Sequence, residues 1–214
     1  MLTLPPVAGK RADGLLAVMA EIERFTLGRA WDRLRDDELF WEPTPGAWGI
    51  RRREDCLSRE PFGSGDWVVD FDGPASGSAA PPMTTIGWLL WHIGSMPGRL
   101  AEIDFLGGRH AMSSGWTSPY LTEHPIFLHA SDAVGTLRSG WSALRAALDA
   151  ASDEQLGGSA AGYTYAPRPP VDGHFVVGEP GPPAPAVRHV AGVLNEISHH
   201  GAQVCSLRDL YVHR

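Results

Sequence analysis

The chain has 214 residues, 43% hydrophobic and 20% charged, with a net charge of -7. That composition fits a single folded domain over residues 1–214 with a buried core, and the acid excess argues against a nucleic-acid partner, which requires a basic face. No apolar run approaches the ~18 residues of a membrane span and the N-terminal "MLTLPPVAGKRADGLL" has no signal-peptide core, while Cys56 and Cys205 read as free thiols, so a cytoplasmic protein in a reducing compartment is expected.

Helical periodicity begins at about Ala12 and runs to Leu34, with Leu15, Leu16, Met19, Ile22, Phe25 and Leu27 near i, i+3, i+4 spacing. "RDDELFWEPTPGAWGI" then reads as a short helical turn that Pro43 and Pro45 end. From Arg51 to Pro82 the chain reads as irregular. The run Arg51–Arg52–Arg53, followed at once by Glu54 and Asp55, is expected in a solvated loop, and "GPASGSAAPP" is loop by composition.

A second helix starts near Thr84 or Thr85, either of which is a capping residue, and reads "TTIGWLLWHIGSMPGRLAEIDFL". Pro97 falls inside it and predicts a kink or a lost backbone bond. The third helix runs from about Asp132 to Ala150, with Ser131 or Asp132 as its cap. A second crossing rich in Pro and Gly, in which "HFVV" has the composition of a short strand, leads to the last helix, about Val187 to Tyr211. Four amphipathic helices with two long connections predict an all-α fold, a four-helix bundle with long crossovers that pack over it or hold a small strand element.

The last helix carries the densest chemistry. At about 100° per residue, Val190, Val193, Ile197, Val204, Leu207 and Tyr211 share one face, and His200 falls among them. Glu196 lies one turn before His200 on that side, Gln203 sits at the edge of the face, and His199 points outward beside Asn195 and Ser206. A carboxylate turned toward a core must be paired or bind a metal, and a Glu and a His four residues apart offer two ligands to one ion.

On the second helix Leu89, Ile93, Met96, Leu100 and Ile103 form the apolar arc, with His92 at its edge and Arg99 near the same face. Bundle packing would set His92 against Glu196 and His200. Two histidines and one carboxylate leave a position open for water or substrate, which suits one divalent ion: zinc first, with nickel or iron also matching the donors. The alternative without metal is a buried Glu–His pair. The Glu196-x-x-His199 step lacks the second copy that a di-iron centre needs.

Trp88 and Trp91 flank His92 as packing residues or as the border of a pocket. His110, His124, His129, His174 and His213 are expected in exposed loops or at the terminus, and His189 at the edge of the core. There is no phosphate-binding glycine loop, nucleophile elbow or HExxH motif.

Three segments in order carry a family resemblance. "DELFWEPTPGAWGI" has the form W-x-P-x-P-G-x-W-x-I, "IGWLLWHI" brings His92, and "EISHHGAQ" resembles an H-x-x-x-H-x-G-Q segment in which Glu196 replaces a histidine. The chain thereby resembles the DinB-like proteins, metal-binding four-helix bundles that include bacterial thiol transferases. Its His, Glu, His set is similar to the mycothiol-dependent branch typified by maleylpyruvate isomerase. "HGAQ" departs from the more usual "HRGQ" and shifts the glycine relative to Gln203.

The resemblance implies one divalent ion held by His92, Glu196 and His200, which activates a small-molecule thiol for attack on an electrophilic substrate. Gln203 would then orient a ligand or touch substrate, and Arg99 would pair with a substrate carboxylate. Alternatives are a metal-dependent hydrolase at the same site, or a non-catalytic module that binds metal or forms a homodimer through its helices.

Overall fold

The computed structural model describes residues 10–58, 61–70, 83–103, 106–108, 125–163 and 180–214. They are mostly helical, as the sequence predicts. Helix α1 (Arg11–Ile22) continues through a π-helical turn, Glu23–Leu27, into α2 (Gly28–Trp31), and a short α3 (Asp36–Leu39) follows. The second long segment is α4 (Ile86–Gly94) and α5 (Met96–Ala101), the third is α6 (Ala130–Ala150) with the short α7 (Asp153–Gly157), and the last is α8 (Ala186–Val212). Helices α1 and α4 each pack against both α6 and α8, and α5 lies along α6. One continuous apolar cluster fills the space between them, with Met19, Leu27, Leu89, Ile93, Leu137, Leu144, Leu194 and Ile197 almost wholly enclosed.

The first helical segment ends at Trp31, short of the expected Leu34. Arg33 takes a positive φ of 51°, and the guanidinium of Arg208 on α8 donates to the carbonyls of Arg29 and Asp32, closing the helix end from outside. The π turn also moves Phe25 off the apolar face: the extra residue rotates the stripe, so Leu27 is fully buried and Phe25 is 65% exposed.

Two corrections fall in the first crossing. Residues 51–82 are not wholly irregular, because β1 (Ile50–Arg52) and β2 (Trp67–Val69) pair antiparallel with Arg51 opposite Val68. Nor is Arg51 solvated. Its Nε donates to Asp70 at 2.6 Å and its Nη1 to Glu42 at 2.8 Å, and the side chain is largely covered. A long guanidinium is buried here because two carboxylates and the Ala47 carbonyl take its donors.

Thr85 is the cap of α4, accepting from Trp88 N at 3.2 Å. The segment then divides at Ser95, so Pro97 stands in the first turn of α5, where a missing N–H leaves no bond unmade. It ends at Ala101 rather than at Leu106, ahead of a turn in which Gly107 takes a φ of 85°.

Helix α6 is capped neither by Ser131 nor by Asp132. The carboxylate of Asp36, on α3, accepts from Ala130 N at 2.7 Å and meets His129 Nδ1 at 2.9 Å. In the second crossing β3 (Ser159–Tyr163) pairs with β4 (Pro180–Pro185). "HFVV", "GPASGSAAPP", His110, His124 and His174 lie outside the described residues. No helix among the described residues is long and apolar enough to cross a membrane.

Candidate metal centre

Helix α4 brings His92 to the interior because Trp88, Leu89, Ile93 and the rest of that helix are buried on nearly every side. Helix α8 brings Glu196 and His200, stacked one turn apart beside the buried Leu194, Ile197 and Val204. Gly201 lets α8 lie close against the π turn beside these ligands. A Cβ there would lie 2.7 Å from Thr26 Cγ2 in the π turn, so the position that follows His200 must be small.

The three side chains converge as the wheels predict. Glu196 Oε2 is 3.3 Å from His200 Nε2 and 3.6 Å from His92 Nε2. Both imidazoles are largely covered, at 14% and 15% side-chain exposure, while the carboxylate is 36% exposed and is the open side of the group. One donor atom from each of the three lies within 4.8 Å of the others. The two rings meet edge to face, with centroids 4.9 Å apart.

Each ring is held from behind. His200 Nδ1 lies 2.6 Å from Gln203 Oε1, which anchors the ring on that side and leaves Nε2 turned toward Glu196. His92 stacks on the indole of Trp88 at 5.3 Å with the planes 23° apart. Burial is the main influence on His92 and lowers its pKa, against the opposing pull of Glu196, so the neutral ring is favoured. The Glu196 carboxyl is held well below the usual carboxylate range, first by His200 and then by His92, although burial works the other way.

The donors have the chemistry and spacing of a divalent site. Four ligands about 2.1 Å from a zinc ion lie about 3.4 Å from one another, and the Glu196 contacts bracket that value. Imidazole and carboxylate donors fit zinc, nickel and ferrous iron alike.

A family model describes a span that includes this whole centre: the DinB superfamily model matches residues 21–204. The chain belongs to the DinB superfamily. No curated protein and no solved structure matches it.

Within this DinB-superfamily chain the other expected residues divide. Gln203 reaches the centre through His200 despite the shifted glycine. Arg99 does not join it; it lines a groove between α5 and α6 with Glu102 and Asp132, and none of the triad residues lines that groove. His199 is less remote than its outward position on the wheel implies. It is 46% exposed, yet its Nε2 is 4.0 Å from Glu196 Oε2 and its ring lies 3.8 Å from that of His200. His129 is exposed as expected but paired with Asp36.

Two residues near the centre have roles that the sequence reading did not assign to them. Trp88 is more than packing, because its ring is the surface on which His92 lies. Asp70, wholly buried, receives the Trp88 indole on its carbonyl oxygen at 2.8 Å. The short apolar run Trp67–Val68–Val69, bounded by Asp66 and Asp70, was the signal for a strand that ends just before Asp70. The cysteines stand apart: Cys56 donates to Asp70, and Cys205 is buried near the Thr26 carbonyl. Burial raises the pKa of both thiols.

Proposed function

We propose that the chain is a metal-dependent enzyme that activates a low-molecular-weight thiol of the mycothiol type for transfer to, or isomerisation of, an electrophilic substrate. The observation that carries this reading is the convergence of His92, Glu196 and His200 at ligand spacing, with one side open. When bound, a divalent ion supplies positive charge that acidifies a thiol at the open position.

The chain's own groups then have separate tasks. His92 and His200 supply neutral donors from the covered side. Glu196 supplies one negative charge, which leaves a net single positive charge for an incoming thiolate to neutralise. Gln203 anchors the ring of His200, so that its Nε2 is available as a ligand. The buried wall formed by Trp88 and Trp91 lowers the local dielectric, which strengthens attraction between the centre and an anion. Cys56 is bonded to Asp70 and Cys205 is buried against the Thr26 carbonyl, and burial raises the pKa of both, which supports a small molecule as the source of the thiol. In this reading the thiol's S–H bond breaks and its sulfur forms a C–S bond. The electrophilic carbon gives up either a leaving group or the π pair of a multiple bond, and the thiol proton, directly or through solvent, goes to the atom that takes that pair.

Elemental analysis of the wild type beside His92→Ala, Glu196→Ala and His200→Ala tests the centre. About one divalent ion per wild-type chain, lost by all three folded variants, is the expected result. Loaded protein should then consume electrophiles only when a small thiol is present. Turnover without thiol would move the reading to hydrolysis by an activated water, and a wild type that takes up no zinc, nickel or ferrous iron would end it.

A further inference from the structure

The segment with the form W-x-P-x-P-G-x-W-x-I lies outside the triad, yet its neighbours lead directly to His92. Within it, Trp48 N donates to Met83 O and Thr85 N donates to Trp48 O, both at 2.8 Å, which docks the segment on the residues that start α4. Gly49 N donates to Asp70 Oδ2 at 3.0 Å, and Asp70 N returns a bond to Gly49 O at 2.9 Å. The Asp70 carboxylate also takes Arg51 Nε at 2.6 Å and Leu57 N at 2.9 Å. A fully buried carboxylate with these partners fixes the backbone around it. The Asp70 carbonyl, so fixed, accepts the Trp88 indole N–H at 2.8 Å.

We propose that Trp88, locked by Asp70, is a positioning residue for His92, and that the hairpin of β1 and β2 thereby sets the metal affinity of the centre. The inference rests on the metal reading of the triad. Rotation of the indole about its own bonds would break the link to Asp70. With that ring plane fixed, the stacked imidazole is fixed too, and its Nε2 stays aimed at Glu196. Trp48 and Trp91 brace the same indole at 6.2 and 5.9 Å. His200 is held by an atom on its rim, from Gln203, whereas His92 is held by its face.

The test is Trp88→Phe, which keeps an aromatic face and removes the N–H. Two readouts are taken: zinc affinity by competition with a chelator, and the His92 ring signals of the metal-free protein by proton–carbon NMR. Trp141→Phe is the control, because it removes an indole N–H that is bonded to Glu23 and not to the Asp70 carbonyl or to any of the three candidate ligands. The expected result is zinc binding weakened by about tenfold or more in Trp88→Phe, the magnitude usual for losing an outer partner of a metal ligand. The His92 signals should also move toward those of an unstacked histidine, and the control should change neither. Wild-type affinity and unchanged His92 signals in folded Trp88→Phe would overturn the proposal. If that variant does not fold, Asp70→Asn is read in the same two ways and decides. If the wild type binds no metal, the metal reading fails by itself, while the His92 signals still decide whether Trp88 orients the ring.

Discussion

The amide oxygen of Gln203 lies 2.6 Å from Nδ1 of His200 on the same helix, so one side chain anchors the ring of its neighbour. Replacing it by leucine leaves Nδ1 to water and frees the ring to turn. Gln203→Leu should weaken zinc binding by about tenfold, whereas Gln203→Glu, which keeps an acceptor, should retain it. Chelator competition measures both, and equal affinities for leucine and wild type would leave the contact without a role at the centre.

Metal and stability should be linked. An ion that binds the folded chain alone, supplied at a hundred times its dissociation constant, adds about 2.7 kcal/mol. Thermal melts of the wild type should therefore rise with zinc and fall back with a chelator. His200→Ala should melt at one temperature in both.

The pair Asp36 and His129 gives a pH signature. His129, first, and the Ala130 amide, second, hold the Asp36 carboxyl below its ordinary value, and Asp36 raises His129. The carboxylate contribution is complete above about pH 4 and is lost as pH falls through the lowered value. The histidine contribution is complete below about pH 6.5 and is lost as pH rises through the raised value. Both act together only between those limits. The melting difference between wild type and Asp36→Asn should peak near pH 5 and shrink toward pH 2 and pH 9. Both groups are exposed, so salt should reduce the peak.

Helices α5 and α6 cross at bare backbone. A Cβ on Gly140 would lie 2.6 Å from Gly98 N, while Gly135, on the same helix, has open space around it. Gly140→Ala should cost about 1–3 kcal/mol through overpacking. Gly135→Ala should stabilise by about 0.5–1 kcal/mol, from helix propensity alone. Urea unfolding of the two variants separates close approach from propensity.

The triad was legible because it depends on helical periodicity. Glu196 and His200 share a face whatever surrounds them, and the apolar arc of α4 places His92 on a matching edge. What escaped the sequence depends on contacts between distant segments. Asp70 reads as one acid in a loop until Gly49, Arg51 and Leu57 are folded around its carboxylate. The cap of α6 was sought at Ser131 or Asp132 because capping rules are local, but the cap stands on α3. Phe25 obeys the apolar spacing of a regular helix and is exposed because the π turn breaks that spacing. Arg99 followed the wheel of a continuous helix, whereas the segment divides at Ser95 before reaching it.

The bond from Ala130 N to Asp36 spans 94 residues, and this gives α6 an order of assembly. Its interior turns can form from local contacts, but its first turn gains its acceptor only after α3 has docked. Closure of that loop carries an entropic cost that no neighbouring residue can offset. The beginning of α6 is therefore set late in folding and loosens early in unfolding. In amide exchange, Ala130 should report the docking of α3 more directly than it reports the integrity of its own helix.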